Sequence, residues 1–206
     1  EENREQRDTE RWWFIDPLDG TTNFAHGLPS FAVSVAFWTG GQMQFGATFA
    51  PHLGEMFLAE RGNGATLNDV PIRVSETDDL TQALLATGFA YNRHTVNNTN
   101  LDAFNHFCLE SRDVRRIGSA CLDLAYVAAG RFDAFWEPYL GPFDVAAGSL
   151  LIEEAGGRIS DYQGESDWLF GENVVASNGK MHEIIRGPLQ PIDAGSNLRF
   201  PRPQMT

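Results

Sequence analysis

Three β-rich segments follow one another closely, at residues 31–38, 43–49 and 56–58, and only Gly40-Gly41 and Pro51-His52-Leu53-Gly54 separate them. Glycine and proline at such joints form tight turns, and tight turns join antiparallel neighbours, so this part of the chain reads as a meander. A short apolar run at residues 12–15 precedes it and ends at Asp16-Pro17. Proline holds its predecessor in an extended conformation and ends any helix, which predicts a strand that delivers Asp16 to its end. Residues 61–71 continue the turn-rich pattern with Gly62, Gly64 and Asn68-Asp69, and residues 84–87 suit another strand.

The pattern then changes. In residues 95–112, Leu101, Phe104, Phe107 and Cys108 recur at helical spacing, and residues 119–129 read as a second helix. Residues 132–136 are strand-like, 144–154 are helical up to Gly156-Gly157, 158–161 and 174–176 are strands, and a short helix is expected at Lys180. Strands followed by alternating helices and strands indicate a layered α/β (α+β) fold. A single domain over residues 1–206 is expected, with residues 189–206 as a proline-containing loose tail. Residues 1–11 read as a solvated arm; without an initiator Met, the sequence is expected to be a fragment or a trimmed chain.

With 42% apolar residues, 21% charged residues and 20 glycines the composition is that of a soluble globular protein. The formal charge of −13 offers no electrostatic footprint for nucleic acid or an anionic membrane, so neither is expected as a direct partner. A phosphate-bearing substrate would meet a repulsive field, to be overcome locally by bound metal or backbone N–H groups. Cys108 and Cys121 show no CxxC spacing, and His26, His52, His94, His106 and His182 show no ligand spacing. That argues against a disulfide framework or a zinc site and suits a reducing cytoplasm. No apolar run approaches the roughly 18–20 residues of a membrane span.

The densest signal is Asp16-Pro17-Leu18-Asp19-Gly20-Thr21-Thr22-Asn23-Phe24. Two carboxylates on a proline-stiffened turn can address one hard cation, the Leu18 carbonyl can add a third oxygen, and Gly20-Thr21 offers free N–H groups to a phosphate. Taken alone, the motif fits a proline-containing turn with an Asp cap equally well. In Phe143-Asp144-Val145-Ala146-Ala147-Gly148, Asp144 by itself reads as a helix N-cap, while the small residues after it let the helix approach another backbone closely.

These two motifs in this order, with Arg116-Ile117-Gly118-Ser119-Ala120-Cys121-Leu122-Asp123 between them, resemble the inositol monophosphatase family over residues 12–187. The resemblance implies an α-β-α-β-α sandwich, commonly a homodimer, and a Mg²⁺-dependent phosphomonoesterase that hydrolyses inositol monophosphate or a similar small polyol or sugar phosphate through a metal-activated water. Asp16, the Leu18 carbonyl, Asp19, Asp144 and Glu1 would hold two or three Mg²⁺ ions. Glu1 and Thr21 would serve the water; Gly20, Thr21, Ser119, Ala120 and Glu137 would bind substrate. The alternative for Glu137 is a surface carboxylate at a strand end, and for Glu1-Glu2 a plain acidic arm. Related branches act on histidinol phosphate, fructose-1,6-bisphosphate or nucleotide 3′-phosphates, and some relatives are protein-binding partners of the transcription or RNA-processing machinery. Phe143 departs from the family's usual Trp, and the helices that precede the first motif in relatives are absent from this sequence.

Overall fold

The computed structural model describes residues 11–96, 98–171 and 173–191. The meander is present and six strands long: β1 (Arg11–Asp19), β2 (Ala32–Thr39), β3 (Gln42–Ala50), β4 (Glu55–Glu60), β5 (Gly64–Leu67) and β6 (Val70–Pro71), antiparallel and in sequence order. A five-residue helix, α1 (Thr21–Ala25), sits between β1 and β2. After β7 (Leu84–Thr87) come α2 (Leu101–Glu110), β8 (Asp113–Arg115), α3 (Ala120–Ala128), β9 (Ala134–Pro138), α4 (Pro142–Glu154), β10 (Arg158–Ser160), β11 (Asn173–Ser177) and α5 (His182–Leu189). The second sheet has the order β10-β11-β9-β7-β8, with β7 parallel to both β8 and β9 and the β11 pairings antiparallel.

Alternation along β9 shows how the layers stack. Phe135 joins the core formed with Leu124 of α3, Leu150 of α4 and Ala36 and Phe57 of the first sheet. Ala134 and Trp136, on the opposite face, pack with Phe107 of α2 and Ile185 and Leu189 of α5. Successive side chains of a strand point to opposite faces, so every β9 residue is buried and the helix pair α3/α4 lies between the two sheets. The expected layered architecture is therefore present, and the described residues form it as sheet, helix pair, sheet, helix pair.

Three expectations need adjusting. The first strand does not stop at Asp16 but runs through Pro17 to Asp19. It can do so because, among the described residues, β1 is an edge strand paired with β2 alone, and its open side requires no N–H donor from proline. On α2 the buried residues are Ala103 and Phe107, one turn apart, while Leu101 and Cys108 are exposed; only one side of that helix meets Trp136. Leu189, at the start of the expected tail, ends α5 fully buried, and residues 192–206 lie outside the described residues.

The middle layer is thin because glycines let backbones meet. A Cβ on Gly148 of α4 would stand 2.5 Å from the Cβ of Leu124, and one on Gly46 of β3 would stand 2.9 Å from the Ala147 carbonyl oxygen. The second neighbour is backbone and has no rotamer with which to yield. Gly46→Ala is therefore expected to lower stability by about 1–3 kcal/mol, the usual cost of overpacking. Urea denaturation checks this; an unchanged midpoint would mean that sheet and helix separate freely.

His182 is fully buried, its Nε2 2.8 Å from Ser160 Oγ and its Nδ1 3.1 Å from Ser177 Oγ. Burial, and then the charge of Arg158, push its pKa down from 6.5 to about 4. The folded state thus binds this proton more weakly than the unfolded chain. The stability contribution is complete above pH 6.5 and is lost as the pH falls towards 4. His182→Gln should flatten that limb of a plot of thermal midpoint against pH; a curve parallel to the parent's would remove His182 as its source.

Candidate functional site

Residues three apart on a regular strand point to opposite faces, so Asp16 and Asp19 should diverge. They do not, because the register slips between them: Asp16 pairs with Ser34 and Asp19 with Ala32, three steps against two. The extra residue is a bulge, and it turns the second carboxylate to the side of the first. One carboxylate oxygen of each and the Cys121 sulfur all lie within 4.8 Å of one another. Asp16 Oδ1 accepts the Leu18 N–H at 3.0 Å, which tightens the turn.

Asp19 is held from the far side of the core. Its Oδ2 accepts Ser119 Oγ–H at 2.5 Å and Cys121 N–H at 2.8 Å, both from the start of α3. Asn23 adds a second tie by donating to the carbonyls of Ser30 and Ile117 at 2.6 and 2.7 Å. Gly20 leaves the strand with φ +81°, and a Cβ there would come within 2.8 Å of the Ser30 carbonyl oxygen, so only glycine suits the junction.

Asp144 is not the N-cap of its helix. Gly141 occupies that position and Pro142 the first turn, where a missing N–H costs nothing. From the third helical position the Asp144 carboxylate reaches back to accept the Gly141 N–H at 2.7 Å. Cys121 Sγ donates to the Asp144 carbonyl at 3.4 Å, so the start of α3 touches the residues that carry both Asp19 and Asp144.

A cavity of about 450 Å³ opens here. Among its walls are all the described site residues expected from sequence: Asp16, Leu18, Asp19, Gly20, Thr21, Ser119, Ala120, Glu137 and Asp144. Glu1 lies outside the described residues. Glu137 is 8% exposed and is no surface carboxylate. Its carboxylate presses on Gly88, where a Cβ would overlap it. Sequence reasoning assigned no role to Asp123, Arg116, Tyr91 or Tyr139, which line the same space. Asp123 and Arg116 stood within a quoted motif, whereas Tyr91 and Tyr139 sit in loops with no pattern to mark them. Tyr91 is 74% exposed at the rim, its OH 3.4 Å from Thr21 Oγ1.

Among the described residues, five carboxyls, on Asp16, Asp19, Asp123, Glu137 and Asp144, share the walls with one cation, Arg116. Burial, reinforced by neighbouring acids, pushes Glu137 up to about 8 and Asp144 up to about 7, and it raises Asp16 and Asp123 as well. Burial, then Asp19 and Asp144, also raise the Cys121 thiol, which stays protonated and adds bulk rather than a soft ligand. Converging carboxylates held at this cost in charge repulsion fit a hard divalent cation such as Mg²⁺, which takes oxygen ligands.

An acid-lined cavity between two sheets, capable of holding divalent cations, defines this protein as a layered α/β protein with a metal-type site. The chain belongs to the inositol monophosphatase family, whose model matches residues 1–193. It is 46% identical over 181 residues to Nus factor SuhB of Pseudomonas aeruginosa, covering 87% of this chain and 67% of that protein. With the inositol-1-monophosphatase of Mesorhizobium japonicum it shares 42% identity over 191 residues, covering 92% of this chain and 72% of that one. The structure of inositol monophosphatase from Anabaena (Nostoc) sp. superposes with a TM-score of 0.87 at 43% identity, covering 90% of this chain and 73% of that one. The chain thus spans about two thirds of the length of the curated relatives it matches.

A carboxyl whose pKa rises on folding stabilises the fold while protonated, and that contribution is lost as the pH climbs through the folded value. Glu137 and Asp144 therefore predict, in a chelator, a contribution to the thermal midpoint that falls as the pH rises from their unfolded values of 4.5 and 3.8 up to about 8 and is level above it. The fall is read most directly between pH 6.5 and about 8, where His182 no longer titrates. Glu137→Gln should flatten the slope; a parent midpoint level across this range would contradict the repulsion.

Proposed function

We propose that this chain carries the catalytic pocket of a Mg²⁺-dependent phosphomonoesterase that hydrolyses inositol monophosphate or a similar small polyol phosphate. The observation that carries the reading is the convergence of Asp16, Asp19 and Asp144 on one cavity that Gly20, Thr21 and Glu137 also line. Metal is central to it, since a chain of charge −13 has one pocket cation with which to meet a phosphate.

Asp16, the Leu18 carbonyl, Asp19 and Asp144, together with Glu1, are assigned to two or three Mg²⁺ ions. Bound Mg²⁺ supplies an acidified water as nucleophile and offsets the charge on the leaving oxygen. Thr21 would orient the attacking water and accept its proton for relay, while the Gly20 and Thr21 N–H groups would cradle the phosphate. Ser119 secures Asp19 and, with Ala120, borders the bound ester; Glu137 accepts hydrogen bonds from the hydroxyls of its organic part. The absence of Lys and Arg between residues 137 and 144 supports a monophosphate over a bisphosphate substrate.

Phosphate release from inositol, histidinol, fructose and nucleotide phosphates, with and without Mg²⁺, tests the reading. Asp19→Asn is expected to lower Mg²⁺-dependent kcat by about a hundredfold or more, beyond what loss of an outer-shell partner costs. Turnover at the parent rate by this variant would sink the assignment.

The name Nus factor carried by several relatives favours a second reading, in which the chain binds a protein partner. Partner capture that survives Asp16→Ala and Asp144→Ala would support it.

A further inference from the structure

Asp123 has no task in the scheme above, yet its position is costly. It follows Ser119, the N-cap of α3, by one turn, and it is 1% exposed. Its Oδ1 is buried without a hydrogen-bond partner, although the residue lines the cavity. A folded protein rarely leaves such an acceptor empty unless something arrives to fill it. The same cavity contains a second buried acid, Glu137, and the two are close enough to repel each other. Arg116 acts on both acids through its charge, yet among the described residues it forms no salt bridge with either.

The arrangement differs from that of the metal-type carboxyls. Asp16, Asp19 and Asp144 each accept backbone N–H groups that fix their direction. Asp123 and Glu137 rise instead from a helix between the sheets and a strand of the second sheet, and both line the cavity with Arg116. Two buried acids on the walls of one cavity suit the hydroxyls of one small molecule.

We infer that Asp123 is a substrate-recognition residue that works beside Glu137, accepting a hydrogen bond from the organic part of the ester and so selecting polyhydroxy monophosphates. The inference rests on the phosphatase reading, and it adds a second acidic contact that discriminates between leaving groups. A hydrogen bond that fills a buried, unpartnered acceptor is felt only by substrates that own the hydroxyl.

The test compares inositol monophosphate with p-nitrophenyl phosphate, which has no hydroxyl to offer, using parent protein and Asp123→Asn. The kcat/KM ratio between the two esters should fall about tenfold in the variant, chiefly through KM for inositol monophosphate, as expected for a hydrogen bond made by one ester and not the other. An equal loss on both esters, or a raised Mg²⁺ requirement, would place Asp123 in the metal set or the framework and overturn the inference; so would an unchanged ratio. If Asp123→Asn does not fold, as its thermal midpoint will tell, Asp123→Ser carries the same comparison. Should the parent release phosphate from neither ester, the phosphatase reading itself fails. Calorimetric binding of inositol monophosphate in Ca²⁺ then decides: about tenfold weaker binding by the variant upholds the contact, and equal affinity removes it.

Discussion

The close approach of the middle helix pair to the first sheet sets the geometry of everything else. Gly46 lets α4 lie against β3 at backbone distance, and Gly148 lets α3 lie against α4. With side chains at those points the helices would stand off. The start of α3 would then lose its hydrogen bonds to Asp19, and the start of α4 would carry Asp144 away from β1. Small residues are thus the condition under which carboxyls from three elements reach one cavity.

That convergence is unfavourable by itself. Burial and mutual repulsion raise the pKa values of the acids, and one arginine faces five carboxyls. The framework holds them regardless, because each of the three metal-type acids is fixed by short bonds to backbone or hydroxyl donors. A site prepared in this way is stabilised by what binds to it, and a divalent cation answers the repulsion directly. Glu154, at the far end of α4, illustrates the ordinary use of the same chemistry. Its carboxylate accepts the Gly62 and Gly64 N–H groups at 2.9 Å and secures the β4–β5 turn.

Much of this was legible in the residues. The meander followed from its turns, and the order of the later helices and strands followed from their periodicity. The motifs at Asp16 and Asp144, each readable alone as a turn or a cap, stood out through their order with residues 116–123 between them, which carries the family resemblance. Less legible was the continuation of β1 through Pro17, since a proline reads as a terminator until its strand is known to be an edge. The role of Asp144 was misread for a related reason: an Asp before small residues resembles a cap, but Pro142 takes the helix start two residues earlier.

The sequence by itself determined the local elements and the residue types that carry chemistry, because hydrophobic period, turn residues and short motifs act over a few positions. Only the tertiary structure decided that Asp16 and Asp19 face the same way, since the bulge depends on β2 as a partner. It also decided that Glu137 is buried against Gly88 and that Asp123 joins the cavity with an empty acceptor. These are relations between segments from about fifteen to about a hundred residues apart, and no local pattern encodes a distance of that kind.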